Sequence, residues 1–163
     1  MIRGFQPICA DSPKVLILGS MPSVVSLEKQ QYYGFPHNRF WKIMESYFQV
    51  ELKDYAEKKR CIQNHDLALW DVIAACEREG SLDSHIRNVE VNDIAELLES
   101  YPSITSVICN GKKSFDLYMR HWKHLNVSVF SLPSTSNANR TIREEVLVER
   151  WVKALDQCLK NKD

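Results

Sequence analysis

The apolar residues of this chain fall into two rhythms. In "KVLILGS" (Lys14 to Ser20), "LALWDVI" (Leu67 to Ile73), "ITSVICNG" (Ile104 to Gly111) and "VSVFSLP" (Val127 to Pro133) branched and apolar residues crowd together over short spans. That is the pattern of strands buried on both faces. Between these runs the spacing becomes helical. "NRFWKIMESYF" carries Phe40, Ile43, Met44 and Tyr47 on one stripe behind a possible cap, Asn38. "ELKDYAEKKRCIQNHD" reads as a polar, solvent-facing helix, and "VNDIAELLESYP" as a helix that starts at Asn92 and Asp93 and stops at Pro102. "KKSFDLYMRHW" and the amphipathic "TIREEVLVERWVKALDQCL" supply two more. Strands alternating with helices predict an α/β fold. The expected architecture is a three-layer α/β/α sandwich on a central, mainly parallel sheet of about four strands with right-handed crossovers.

Length and composition sharpen this picture only in places. The 163 residues, 44% hydrophobic and 26% charged, suit one domain over 1–163 with a continuous core. The apolar runs are too short to cross a bilayer and stand far from a signal-peptide position, so a soluble cytoplasmic protein is expected. Five cysteines form no C-x-x-C pair, which argues against a disulfide framework, a compact zinc site or an iron–sulfur ligand set. The charges balance at 21 Lys+Arg against 21 Asp+Glu, so a polyanionic partner would have to be met by a local basic face. Arg39, Lys42, Lys112, Lys113, Arg140 and Arg143 are the residues available for one.

In open parallel sheets, ligands bind beyond the carboxyl ends of the strands. That rule selects the loop from Gly19, the segment after Trp70 and Asp71, Asn110 with Gly111, and "LPSTSNANR". Neither a G-x-G-x-x-G nor a G-x-x-x-x-G-K-[ST] follows the first strand, which sets aside dinucleotide and nucleoside-triphosphate cradles. No G-x-S-x-G elbow or H-E-x-x-H pair is present, which sets aside the usual serine hydrolases and zinc hydrolases. What remains is "GSMPS", then "YYGFPHNRFWKIM", then "LPSTSNANR".

These three stretches resemble the motifs of the uracil-DNA glycosylase superfamily, with a first motif after the first strand and a second of the form H/L/M/N-P-S after the last. "PHNRFWKI" is similar to the corresponding run of the mismatch-specific uracil and thymine glycosylases, and the combination most resembles the hypoxanthine-DNA glycosylase branch. The resemblance spans Lys14 to the C-terminal helix. It implies a DNA repair enzyme that flips a deaminated base out of the duplex, excises it hydrolytically and leaves an abasic site. Hypoxanthine from deoxyinosine is the first expectation, with uracil or xanthine as alternatives. No cofactor is implied, and the partner would be damaged DNA met by a monomer. A monofunctional enzyme is expected, since no Lys falls at a position the motifs mark as catalytic.

One position departs from the superfamily. Met21 stands where most members carry the Asp or Asn that positions the attacking water, and a thioether cannot do so. The resemblance passes that duty to Asn38, which reads equally as the helix N-cap; an Asn can do both. Gly19, Ser20, Met21 and Pro22 would line the base pocket, with backbone N–H groups and the hydroxyls of Ser20 and Ser134 as donors to the departing base. Phe40 falls at the position corresponding to the stacking Phe, with Tyr33 as the opposite wall, although Phe40 and Trp41 also fit a helix's core face. Asp71 corresponds to the base-reading Asn and reads alternatively as a turn residue. Ser134, Thr135 and Ser136 would contact phosphate, and Asn137, Asn139 and Arg140 would fill the gap left by the flipped base, or else cap the last helix. Two other functions fit the same residues: a non-catalytic base-binding module that has lost its water-positioning residue, or a small-molecule nucleosidase.

Overall fold

In the computed structural model, which describes residues 1–139 and 141–160, the chain begins with the short strands β1 (Ile2–Arg3) and β2 (Ile8–Cys9) and the apolar strand β3 (Val15–Gly19). Three helices follow, α1 (Val24–Lys29), α2 (Phe40–Phe48) and α3 (Tyr55–Asn64). Then come β4 (Leu67–Asp71), β5 (Ile73–Glu77), a single 3-10 turn (Asp83–His85) and β6 (Arg87–Val91). The last part is α4 (Ile94–Ser100), β7 (Ser106–Asn110), α5 (Lys112–Trp122), β8 (Ser128–Leu132) and α6 (Glu144–Leu159).

The main sheet has the order β2-β4-β3-β7-β8 and is parallel except for β2, which pairs antiparallel with β4 at one edge. Alternation along β3 divides the core. Val15 and Ile17 point with Leu67, Leu69 and Ile108 toward Phe40, Ile43 and Met44 of α2, Ile62 of α3, and Leu147, Trp151 and Leu155 of α6. Leu16 and Leu18 point with Ala68, Val107 and Cys109 toward Ile94 and Leu97 of α4 and Leu117, Tyr118 and Trp122 of α5. Every residue from Val15 to Leu18 is fully buried, as the unbroken apolar run predicts for a strand covered on both sides. The layers are those expected from the sequence.

Register sets the place of the site. Gly19 stands opposite Asp71 on β4, and Asn110 opposite Leu132 on β8, so four parallel strands end at one level with their connections beyond them.

The sequence reading missed a second sheet. The run "LALWDVI", read as one strand, breaks at Val72, whose N–H donates to the Gly19 carbonyl (2.9 Å) and whose carbonyl accepts from Asn92 (2.8 Å). Beyond that bend β5 leaves the main sheet and joins a three-stranded one of order β1-β5-β6. The connection from Gly19 to Met44 is not all loop either. It holds α1, whose Ser23 hydroxyl caps the Ser26 N–H at 3.1 Å. On α3, Cys61 and Ile62 are buried, so that helix is only partly solvent-facing, and α6 begins at Glu144 rather than at Thr141. Among the described residues no helix is long and apolar enough to cross a membrane.

Candidate active site

Gly19 closes β3 because nothing larger fits. A Cβ there would meet Asp71 Oδ1 at 2.4 Å and the Tyr33 hydroxyl at 2.8 Å, both atoms of groups that face the same cleft. The cleft holds about 1080 Å³ at the carboxyl ends of the parallel strands. That exceeds what a single base fills and leaves room for flanking sugar and phosphate.

Its aromatic wall is set by the two adjacent tyrosines, which go opposite ways. Tyr32 is buried; its hydroxyl donates to Gln6 O (2.7 Å) and its carbonyl accepts from Trp41 Nε1 (2.8 Å). Tyr33 has φ +52°, an uncommon region for an aromatic residue, and this turns its ring toward the cleft. The ring rests on Phe40 at a centroid distance of 4.3 Å, and its hydroxyl accepts from Asn110 Nδ2 at 3.2 Å.

Phe40, expected to stack on the base, is fully buried and does not line the cleft. The inward stripe of α2 packs it between Tyr33, Trp41 and Trp151, so it supports the wall from behind while Tyr33 presents the surface. Trp41 is likewise a core residue.

Asn38 lines the cleft two residues ahead of α2, and its Oδ1 accepts the Phe40 N–H at 2.9 Å. The N-cap of α2 is Arg39 rather than Asn38, and the turn bond just ahead of it fixes the Asn38 side chain. A carbonyl oxygen has two lone pairs, so Oδ1 retains capacity for a water, as does the Nδ2 group for an acceptor. Met21 and Pro22 line the cleft near Ser20. The Ser20 hydroxyl, expected to face the base, instead donates to Asp83 Oδ1 at 2.7 Å.

Asp71 ends β4 with 4% exposure, and its Oδ2 meets no hydrogen-bond partner. Burial, followed by the nearby Asp83 carboxylate and opposed by Arg78, pushes its carboxyl up to about 7. Asp83 is itself raised by burial, against the lowering effects of its Ser20 hydrogen bond, Arg78 and Lys113. Arg78 donates to Pro22 O (2.6 Å) and Gly80 O (2.7 Å). With the Val24 N–H donating to Ser81 Oγ (2.9 Å), these bonds strap the segment between β5 and β6 across the first motif. Nothing in the polar run "REGSLDSH" marked that strap, because it has no periodicity and its partners lie more than 50 residues away in sequence.

The loop after β8 is held chiefly by Asn110 and Arg39, with Trp151 Nε1 donating to Pro133 O (3.0 Å) where it begins. Asn110, 7% exposed, accepts the Thr135 N–H (3.0 Å) through Oδ1 and donates through Nδ2 to Thr135 Oγ1 (3.0 Å). Arg39 gathers the carbonyls of Thr135 (3.3 Å), Ser136 (2.5 Å) and Asn139 (3.3 Å). Arg39 is therefore a clamp rather than part of a phosphate-facing surface. Thr135, read as a phosphate contact, is fully buried with its hydroxyl engaged inside the protein. Ser134, Ser136, Asn137 and Asn139 do line the cleft, with Lys112, Lys113, Arg87 and Arg150 at its edges. Arg140 lies outside the described residues. Gly111, at φ +97°, lets the loop approach; a Cβ there would stand 3.1 Å from that of Ser134.

Comparison with known proteins agrees with this geometry. The sequence profile of the Uracil DNA glycosylase superfamily matches residues 6–155. The chain belongs to that superfamily and is a DNA N-glycosylase. Among its relatives, the hypoxanthine DNA glycosylase of Methanosarcina acetivorans is 39% identical over 140 residues, covering 85% of this chain and 88% of the relative. The protein of the same name from Methanosarcina barkeri is 36% identical over the same shares. The solution NMR structure of a candidate uracil DNA glycosylase from Methanosarcina acetivorans superposes with a TM-score of 0.83 at 35% identity, covering 98% of both chains.

Proposed function

We propose that this glycosylase excises hypoxanthine from deoxyinosine in DNA, working as a cytoplasmic monomer, with uracil and xanthine as further substrates. The observation that carries the reading is the convergence of Asn38, Tyr33, Asp71 and the Ser134–Asn139 loop on one cleft. It is supported by the two Methanosarcina relatives, both named hypoxanthine DNA glycosylase.

The flipped base stacks on Tyr33, whose ring is already backed by Phe40 and so loses little freedom on binding. Asn38 holds the attacking water by the amide that the Phe40 N–H keeps in place. The C1′–N bond breaks with its electron pair going to the base, and the water oxygen bonds to C1′. One water proton passes to solvent, and the base takes up one from solvent as it leaves. Because the sugar resembles an oxocarbenium ion at the transition state, a strong base is less important than donors aimed at the departing base. Backbone N–H groups of the Gly19–Ser23 turn and the Ser134 hydroxyl act in that way. Ser134, Ser136, Asn137 and Asn139 press on the distorted strand.

Duplex oligonucleotides carrying one deoxyinosine, deoxyuridine or deoxyxanthosine, incubated with the protein and then treated with alkali, test the proposal. Strand scission is expected, fastest at deoxyinosine. Retained binding without scission on any of the three would make the protein a binding module, and release of base from free inosine alone would make it a nucleosidase.

A further inference from the structure

We infer that Asp71 reads the base as a neutral carboxylic acid, donating its carboxyl O–H to the carbonyl oxygen that deamination creates, and that Asp83 is the positioning residue that keeps it in that form. The inference rests on the function proposed above and concerns how the same site recognises its substrate.

Three features of the geometry carry it. The Asp71 side chain lines the cleft, and its carboxyl is buried, with Oδ2 meeting no partner among the described residues. A buried carboxylate lacking hydrogen bonds is far less favourable than the buried acid, and the acid needs an acceptor that the protein itself does not supply. The strap also brings a second carboxyl, Asp83, to the lining of the same cleft and fixes it there through the Ser20 hydroxyl at 2.7 Å. Two carboxyl groups sharing one buried neighbourhood do not both ionise readily. Arg78, on the strap, opposes Asp83 by favouring the charged form of Asp71. From the segment before α2, the phenols of Tyr32 and Tyr33 are held neutral chiefly by burial, so neither adds a charge beside Asp71. Lys113 of α5 faces Asp83 and favours its ionised form. The arrangement thus assigns the charge to Asp83 and the proton to Asp71.

Chemistry gives that proton a purpose. Hypoxanthine, xanthine and uracil carry a carbonyl where adenine, guanine and cytosine respectively carry an amino group, and of the two only the carbonyl accepts from a carboxyl O–H. A carboxylate at the same place would repel the base as it departs with an extra electron pair, whereas the acid stabilises it. No proton needs to leave Asp71, since the hydrogen bond strengthens as charge develops on the base oxygen.

Single-turnover release of hypoxanthine from a deoxyinosine duplex, followed from about pH 5 to about pH 9, reads this out. The wild-type rate is expected to fall about tenfold per pH unit above the point where Asp71 ionises. Removing the neighbouring negative charge in Asp83→Asn, which can still accept from Ser20, should bring that fall about one pH unit lower. Asp71→Asn donates at every pH and should flatten the alkaline limb, while Asp71→Ala should lose activity throughout. Carboxyl-carbon NMR of the free protein checks the same order of titration without substrate, and thermal unfolding of each variant confirms folding. A wild-type limb that is flat, or one that Asp83→Asn leaves in place while base is still released, overturns the inference alone. Release of base from none of the deaminated substrates overturns the proposed function, and this inference with it.

Discussion

The Tyr33 ring lies almost parallel to that of Phe40, planes 26° apart and centroids 4.3 Å apart, and only Tyr33 reaches the cleft. The two rings therefore have separable duties. Tyr33→Ala removes the surface on which a base stacks and should lower single-turnover activity by about 10–100-fold, the equivalent of about 1–3 kcal/mol of stacking. Tyr33→Phe keeps the stacking surface and should keep most of the activity. Phe40→Ala hollows the core beneath and should lower unfolding free energy by about 3–5 kcal/mol in urea titrations. If Phe40→Ala proved stable and selectively inactive, Phe40 rather than Tyr33 would be the stacking residue.

Asn38 combines a structural and a catalytic duty, and these also separate. Its Oδ1 accepts the Phe40 N–H at 2.9 Å just ahead of the N-cap Arg39, so Asn38→Ala should cost about 1 kcal/mol of stability. A Ser hydroxyl can accept the same N–H in the equivalent turn, so Asn38→Ser should restore part of that stability. Neither variant can hold the water as the amide does, and both should lose about 100–1000-fold in single-turnover rate, the loss typical of removing one preorganised polar group. Full activity in Asn38→Ser would reduce Asn38 to a turn residue.

Much of this is legible in the chain. The unbroken apolar runs mark β3, β4, β7 and β8, and the rule that ligands bind past their carboxyl ends locates the cleft from sequence alone. Local pattern cannot tell Tyr33 from Phe40, because which ring turns outward depends on the left-handed backbone at Tyr33 and on the inward stripe of α2. Two-residue strands such as β1 and β2 are too short to show a period. The bend at Val72 is hidden inside an apolar run, because the hydrogen bonds that make it come from Gly19 and Asn92. Arg39 looks like a surface cation because its acceptors are backbone carbonyls about 100 residues away, which no composition reveals.

The clamp on the last loop predicts its own signature. Asn110→Ala leaves the buried Thr135 N–H without its acceptor and should destabilise the protein by about 1–3 kcal/mol. Arg39→Lys replaces a planar fork by one ammonium and cannot gather the carbonyls of Thr135, Ser136 and Asn139 together. Weaker binding to the deoxyinosine duplex and faster proteolytic cleavage within 134–139 are expected. Unchanged cleavage would mean that Asn110 and Trp151 hold the loop without Arg39.

Binding should also respond to salt through the cleft edge. Lys113 lines it, whereas Lys112 is engaged with Asp116. If Lys113 meets a phosphate, Lys113→Ala should reduce the slope of log affinity against log salt by about one and weaken damaged and undamaged duplexes alike. A selective loss for the damaged duplex would place Lys113 at the base instead.

Stability itself should report the state of Asp71. Burial, with Asp83 behind it, raises the carboxyl from its ordinary 3.8 to about 7, so the folded protein holds a proton that the unfolded chain has already released between those values. The stabilisation this gives is complete below about pH 4 and is lost as pH rises toward about 7, where the folded carboxyl also ionises and the loss levels off. Asp71→Asn removes the titration while keeping shape and burial. The unfolding free energy of the variant relative to wild type should therefore rise from about pH 4 to about pH 7 and then stay constant. A tenfold change in acidity between the folded and unfolded carboxyl is worth about 1.4 kcal/mol, so the gain amounts to a few kcal/mol at most. Urea titrations at about pH 4.5, about pH 6 and about pH 8 suffice to measure it. A difference that does not change with pH would mean that Asp71 titrates in the folded protein as it does in the unfolded chain, leaving the cleft with a carboxylate that repels the leaving base.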